Sequence, residues 1–374
     1  MARAARVRTI TKASWALGAR RWPEYICSSM LSLAKQGRVR VGAISSIFLL
    51  YFVVATASAA AIGPQQLGVI VNLNDPLSVA IGDYYREKRA IPAQNIIAVR
   101  FDAKTDVLGE SDFAAIKEDI DRRLAPSVQV LALTWMRPFR VACMSITAAF
   151  AFGLDSAYCA DGCTTTKFSP YFNAVTRAPY TELHLRPTMS IAANTIDEAR
   201  ALIDRGVRAD GSLPHGTAYL LKTNDLHRDV RVRSYADAEM LVGQRIHVER
   251  DTGVIQGRAD VMFYFTGAQR VPDISTNQYL SGAVADHLTS FGGILTGSSQ
   301  MSSLEWLKAG ATGSYGTVVE PCAITAKFPN PGLMMKHYLD GETLIEAYWK
   351  SVAMPGQGIF IGEPLAAPYA SSHR

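Results

Sequence analysis

The sequence alternates short apolar runs with amphipathic stretches, and this alternation limits the fold of the chain more than any other feature. Residues 67–73 are nearly all apolar, as in a strand buried on both faces of a sheet. Asp75 then caps a stretch whose apolar residues have helical spacing, Pro92 ends it, and another apolar run covers residues 95–101. A strand, a helix and a second, parallel strand are therefore predicted.

The same pattern continues through the chain and predicts an α/β fold, with a mostly parallel sheet that has helices on both faces, as in doubly wound proteins. Further helices are predicted after Ser111, over residues 195–205 with Gly206 as the stop, after Ser234, over residues 284–291 closed by Gly292 and Gly293, over residues 302–310, and after Thr343. Further strands are predicted over residues 128–135, 216–223, 245–249, 261–267, 294–297 and 314–319, of which the last is the final strand.

Residues 1–59 are interpreted as a targeting segment. Residues 1–42 contain nine Lys or Arg and one acid, and an apolar core of about residues 44–54 follows. The core is too short for a spanning helix and small residues follow it, so a signal peptide cleaved near Ala59 is predicted, with Met30 as a candidate for the true start. An uncleaved membrane anchor is the alternative. We expect a periplasmic or secreted protein that contacts a membrane only if this segment is retained.

The remaining chain, residues 60–374, is predicted to be a single domain with an insertion at about residues 136–193. The whole sequence has 38 basic and 33 acidic residues, and residues 1–59 contain 9 and 1 of these, so 29 and 32 remain, a net charge of −3. This balance gives no reason to expect a nucleic-acid partner. The partner class that remains is a peptide, a glycan or a surface protein.

Four cysteines follow the targeting segment: Cys143, Cys159, Cys163 and Cys322. An even number in an oxidising compartment predicts disulfides, and three pairings are open. Cys159 and Cys163 enclose a short turn, so the pairing we expect is a local bridge between them, with Cys143–Cys322 as the second. A CxxxC pair can also bind a metal ion, but the other ligands are not evident, and neither a metal nor a cofactor is predicted.

Polar and glycine-rich segments follow several of the predicted strands. In an open parallel sheet, ligands bind in the crevice beyond the carboxyl ends of the strands. The same residue types also build ordinary turns and helix caps, which is the alternative for each of them. The candidate binding crevice comprises Asn74, Asp75, Asp225, Thr266, Gln269, Thr296, Ser298, Ser299 and Glu320.

Complete catalytic motifs of the common kinds are missing from the sequence, which has no GxGxxG after a strand, no Walker loop, no HExxH and no GxSxG. The catalytic candidates are Cys322 and Ser298 as nucleophiles and His287 as a base. Each also has a structural interpretation: a disulfide or inert thiol for Cys322, a helix cap for Ser298, and a surface or core side chain for His287.

Over residues 72–96, 143–159, 285–322 and 346–368, the chain resembles a family of exported bacterial proteins that brings no assigned activity. More distantly, the predicted strands VMFYFTG and ILTG are similar to strands in the caspase-like fold of gingipain-type cysteine peptidases. In that group a Gly-His-Gly follows one strand and a nucleophilic Cys ends the next. Here the two positions read Gly267-Ala268-Gln269 and Leu295-Thr296-Gly297-Ser298. The resemblance therefore implies a caspase-like fold without the Cys/His dyad.

Three hypotheses of function follow. The first is a non-catalytic, caspase-like binding module. The second is a hydrolase with a relocated nucleophile, Cys322 or Ser298, assisted by His287. The third is a structural component of a surface or polysaccharide system, with the cysteine-containing insertion as its contact patch.

Overall fold

The computed structural model describes residues 62–160 and 162–371. In this part of the chain, ten strands form one sheet and three short strands form another. The strands are β1 (Leu67–Asn72), β2 (Ile96–Val99), β3 (Val107–Leu108), β4 (Val130–Leu133), β5 (Arg140–Val141), β6 (Met144–Ser145), β7 (Thr188–Ser190), β8 (Thr217–Lys222), β9 (His247–Thr252), β10 (Val261–Gly267), β11 (Tyr279–Leu288), β12 (Gly313–Thr317) and β13 (Gly358–Gly362).

The order of the large sheet is β2-β1-β4-β7-β13-β12-β11-β10-β8-β9. Neighbouring strands are parallel within the run from β2 to β7 and within the run from β12 to β9. β13 lies between the two runs and is antiparallel to β12. The small sheet has the order β3-β5-β6. The predicted α/β class with a mostly parallel sheet is confirmed.

Helices cover both faces of the large sheet, as the alternating side chains of β10 demonstrate. Phe263 contacts Tyr338, whereas Tyr264, the next residue, contacts Trp306. Successive side chains of a strand point to opposite faces, so the helices that contain Tyr338 and Trp306 lie on opposite sides. The helices are α1 (Pro76–Arg89), α2 (Glu110–Arg123), α3 (Ile146–Phe152), α4 (Pro179–Leu183), α5 (Ile196–Ala209), α6 (Tyr235–Val242), α7 (Leu304–Ala309), α8 (Pro331–Leu339) and α9 (Leu344–Ser351).

Contacts between loops place the segments that follow β2 and β11 at a common edge of the sheet. Thr296, beyond β11, donates a hydrogen bond to the Asp106 carboxylate, beyond β2, over 3.2 Å. A disulfide joins Cys163, in the long segment between α3 and α4, to Cys322, beyond β12. At the other edge, Arg89 at the end of α1 pairs with Glu363, directly after β13. The common edge is where a ligand crevice is expected.

Several boundaries predicted from the sequence are wrong. Residues 284–288 belong to β11 instead of a helix, and residues 294–297 form a loop instead of a strand. The sheet also does not end at β12, because β13 follows it. The helix expected to stop at Gly206 continues to Ala209. Gly206 is a packing position, because Glu363 fills the space that a Cβ there would need.

The stretch predicted as an insertion, residues 136–193, contributes to the core of the fold. β7 lies inside it and pairs with β4 in the middle of the large sheet. α3 is capped by the Ser145 side chain, which accepts a hydrogen bond from the backbone of Ala148. Only the residues between α3 and α4 form a long loop, and this loop contains Cys159 and Cys163.

Among the described residues, no helix is both long and apolar enough to cross a membrane. The predicted signal peptide, residues 1–59, and the candidate start at Met30 lie outside the described residues. They stay predictions from the sequence.

Candidate functional site

A network of polar side chains lies beyond the carboxyl ends of β8, β11 and β12. The Arg228 guanidinium is 2.7 Å from the Asp225 carboxylate and donates to the Thr289 hydroxyl over 3.0 Å. Thr289 in turn donates to the Gln300 side-chain oxygen over 2.7 Å, which also accepts from the backbone of Phe291. The loop after β11 is therefore fixed by side chains that come from two different strand ends.

A second group of contacts positions Glu320, one of the predicted crevice residues. Its carboxylate oxygen Oε1 accepts a hydrogen bond from Ser290 Oγ over 3.1 Å and from the backbone of Cys322 over 2.8 Å. The loop that contains Ser290 lies so close to β12 that the backbone of Gly292 and Gly293 leaves no space for a Cβ on Gly316. Gly293, one of the two glycines that suggested a helix stop, is needed together with Gly316 for this close approach between backbones.

The predicted crevice residues are only partly brought together. Asp225 and Glu320 belong to the contacts just described, and Ser298 accepts from the backbone of Gln300. Thr296 contacts Asp106, whereas Thr266 is buried and Gln269 and Ser299 are exposed. Asn74 and Asp75 follow β1 instead, where Asn74 accepts from Arg100 and Asp75 caps α1.

His287, the candidate base, lies on β11 inside the core. Its Nδ1 accepts a hydrogen bond from the Trp306 indole over 2.9 Å, so its Nε2 donates to the Met301 carbonyl, 3.1 Å away. Burial lowers the pKa of His287 to about 4, and its contact with the Met301 carbonyl opposes this shift only in part. Both ring nitrogens are occupied and the ring is neutral, so the structure gives His287 a role in packing.

Acidification should therefore destabilise the fold through His287. Since the folded pKa of about 4 lies below the ordinary value of 6.5, only the unfolded chain binds a proton between these pH values. The stabilising contribution is complete above pH 6.5 and falls as the pH decreases to 4, a loss of about 3 kcal/mol. His287→Gln retains a donor and an acceptor but does not titrate. In urea unfolding at pH 7.5 and pH 4, we expect the wild type to lose about 3 kcal/mol more than the variant; equal losses would contradict this assignment.

All four cysteines of the described chain form disulfides, as predicted, but the expected pairing was wrong. Cys143 bonds Cys159, with Cα atoms 5.4 Å apart, and Cys163 bonds Cys322, with Cα atoms 5.1 Å apart. Cys322, the candidate nucleophile, therefore has no free thiol. The local bridge from Cys159 to Cys163 does not form, because the two cysteines link the long loop to two different neighbours.

The residues that follow β11, where the resemblance to gingipains would place a cysteine, differ from those assigned from the sequence. Because β11 ends at Leu288, the residues at its carboxyl end are Thr289 and Ser290, not Leu295–Ser298. Beyond β10, the neighbouring strand, Ala268 and Gln269 stand where the resemblance would require a histidine. Ser298 donates a long hydrogen bond of 3.4 Å to the backbone of Phe291. No described histidine forms a hydrogen bond with either serine.

A groove with a cavity volume of about 580 Å³ opens next to these loops. One wall is part of the long loop between α3 and α4, and the other comes from the 3-10 segment Asp229–Ser234 and from the chain between β12 and α8. Arg231 also lines the groove, and its guanidinium forms a buried ion pair of 2.6 Å with Asp286. The apolar lining comes mainly from Phe168, Phe172, Val230, Phe328, Pro329 and Ala353.

Sequence reasoning missed this groove. Its aromatic side chains Phe168 and Phe172 belong to the stretch KFSPYF, which was assigned to an insertion and given no part in the crevice. Aromatic residues in a polar loop shortly after two cysteines are the signal that could have found it, because such residues are either buried in a core or exposed for binding. Among the described residues, no group of three or more His, Cys, Asp or Glu could hold a metal ion.

No protein-family model matches the chain, and no curated protein matches it. A solved structure described as a protease is similar to the chain at 11% sequence identity and a TM-score of 0.43, over 82% of this chain and 79% of the other. The complex of the pro- and mature domains of RgpB from Porphyromonas gingivalis is similar at 8% identity and a TM-score of 0.45, over 81% and 79%. The distant similarity to gingipain-type peptidases is thereby confirmed, at a level that is silent about activity.

Proposed function

We propose that this protein is a non-catalytic binding module that holds an extended peptide in the groove between the long loop and α8. One observation carries the proposal: the ends of the neighbouring strands β10 and β11 hold Gln269 and Ser290, while His287 and Cys322, the other candidates, are fully engaged in packing and in a disulfide. Ligand binding without bond cleavage needs a shaped cavity and fixed walls, and the groove has both.

The chemistry of the groove supports a peptide with an apolar side chain. Its volume of about 580 Å³ falls within the usual range for ligand sites. Three phenylalanines and two prolines contribute to its lining, and the charged Arg233 and Asp237 also line it. Apolar burial would provide affinity, and the two opposite charges would orient the ligand backbone. A glycan stacked on Phe168 and Phe172 is the other ligand class that the same binding assay can test.

The two disulfides support a location outside the cytoplasm, in the periplasm or the medium. Disulfides persist in oxidising compartments and are rare where thiols are kept reduced. With the predicted signal peptide, they make an exported protein the working proposal.

The binding proposal is tested by filling the groove. Ala323 is exposed and lines the groove, so Ala323→Trp should block it without disturbing the core. Ala115→Trp, at an exposed position of α2, is the matched control. With fluorescent peptides that carry one apolar residue in a Gly/Ser background, we expect Ala323→Trp to weaken binding at least about tenfold and the control to leave it unchanged. Equal binding by both variants, or no binding by the wild type, would refute the proposal.

A second candidate function, a serine hydrolase, rests on the contact between Ser290 and Glu320. The Ser290 hydroxyl lies at the end of β11, 3.1 Å from a carboxylate that could accept its proton. A fluorophosphonate probe would label an activated Ser290, and Ser290→Ala and Glu320→Gln would abolish the labelling. We expect no labelling of the wild type; labelling that Ser290→Ala removes would replace the binding module with the hydrolase.

A further inference from the structure

Three large apolar side chains in residues 162–178, the second part of the long loop, are exposed to solvent. Phe168 is 61% exposed, Phe172 is 36% exposed and Val175 is 95% exposed. Phe168 and Phe172 line the groove, but Val175 lies outside it. A peptide bound in the groove would therefore cover two of these side chains and leave the third in water. Grouped apolar exposure of this kind marks an interaction surface.

The backbone of the loop is fixed although its side chains are exposed. The Cys163–Cys322 disulfide attaches the loop, at residue 163, to the chain beyond β12. Further along, the backbone N–H of Ser169 donates to the Ala353 carbonyl over 2.8 Å, and that of Asn173 donates to the Lys350 carbonyl over 2.9 Å. The apolar side chains are thus presented by an ordered segment, and binding need not order the loop first.

The charge of this surface is positive. Residues 162–178 contain Lys167 and Arg177 and no acid. Arg233, exposed at the groove, adds a third cation, and Asp237 is the acid that also lines the groove. Among the described residues, no ion pair neutralises Lys167, Arg177 or Arg233. Cations in the same segment as exposed apolar side chains complement a surface that is apolar inside and anionic at its boundary.

We propose that residues 162–178 form a docking surface for a membrane with anionic lipid headgroups. Phe168, Phe172 and Val175 enter the boundary between headgroups and acyl chains, while Lys167 and Arg177 remain at the level of the phosphates. A membrane covers all three apolar side chains, as a ligand confined to the groove does not. The membrane surface shares Phe168 and Phe172 with the peptide groove, so a bound peptide would compete with the membrane for these two side chains. The inference does not require the groove to bind a peptide, and it goes beyond the sequence-based expectation of membrane contact through residues 1–59 alone.

The test is a local fluorescence measurement on the full chain. Val175→Cys on a Cys27→Ser background gives one free thiol in the oxidised protein for an environment-sensitive dye. Thr252→Cys, at an exposed position of the outermost strand β9, is the control. Because both proteins retain residues 1–59, any binding through that segment affects them equally. With phosphatidylcholine vesicles that contain phosphatidylglycerol, we expect a several-fold emission increase and a blue shift at position 175 only.

Further variants separate the contribution of apolar insertion to vesicle binding from that of electrostatic attraction. Phe168→Asp should weaken the response at position 175 about tenfold. The double variant Lys167→Glu and Arg177→Glu should remove its dependence on phosphatidylglycerol, as should high salt. No change at position 175, or equal changes at both dye positions, would overturn the proposal. A response to the groove peptides with none to vesicles would also overturn it, and would assign the whole surface to a protein partner.

Discussion

Replacement of both Cys163 and Cys322 by serine will lower the free energy of unfolding by about 4 to 5 kcal/mol. The bond joins residues with a sequence separation of 159, so it restricts the unfolded chain far more than a local bridge would. Loss of the bond also frees one wall of the groove, since Cys322 precedes Ala323 and Cys163 lies in the loop that contains Phe168. We therefore expect weaker peptide binding together with lower stability.

Urea unfolding without reductant measures this effect, and the second disulfide provides a matched control. Cys143 and Cys159 have a sequence separation of only 16, so replacement of both by serine should cost about 3 kcal/mol. The difference of about 2 kcal/mol between the two double variants depends on loop length alone. If the Cys143/Cys159 variant were the less stable of the two, the assigned pairing would be wrong.

Glu363→Ala will destabilise the fold by about 3 kcal/mol, because it leaves the buried Arg89 guanidinium with only the partly exposed Asp210 carboxylate as its ionic partner. Glu363 is fully buried and accepts hydrogen bonds from the Arg89 guanidinium and from the Tyr85 hydroxyl, the latter over 2.6 Å. Burial, together with the neighbouring Glu363 carboxylate, raises the pKa of Tyr85 well above its ordinary range. The carboxylate therefore joins α1 to the end of β13 across the core.

The controls compare a buried and an exposed ion pair. Glu305 and Lys308 form a partly exposed pair of 2.9 Å on α7, and Glu305→Ala should cost less than about 1 kcal/mol. The double variant Arg89→Met and Glu363→Leu removes both charges and should recover much of the loss. A cost for Glu363→Ala no larger than that for Glu305→Ala in denaturant unfolding would show that Asp210 or water satisfies Arg89 without Glu363.

The sequence predicted the parallel α/β class but misassigned β11, and the reason is physical. Asp286 and His287 interrupt its apolar pattern with two polar residues, as in an amphipathic helix. In the structure both are buried, since Arg231 pairs with Asp286 and the Trp306 indole binds His287. These partners are distant in the sequence, so a local pattern could not reveal that the polar side chains belong to the core.

The candidate site was harder to predict than the fold. β7 and β13 have three and five residues, too few to give a period, yet they occupy the centre of the sheet and link its two parallel runs. Strand ends located Asp225 and Glu320 correctly beyond β8 and β12. The groove depends on which loop lies against which, and that follows from Cys163–Cys322, a pairing that spacing alone could not choose.

The consecutive pairing of the four cysteines, first with second and third with fourth, imposes an order on oxidative folding. Cys143 and Cys159 emerge close together during synthesis or export. Cys163 stays unpaired until Cys322 emerges, and during this time it is only four residues from Cys159 in the sequence. An early bond between Cys159 and Cys163 would leave both native partners unpaired, and thiol–disulfide exchange would have to reverse it. A chain delivered from its N-terminus can therefore complete its native pairing only after β12 has arrived, and an early Cys143–Cys159 bond would keep Cys159 from bonding Cys163 until then.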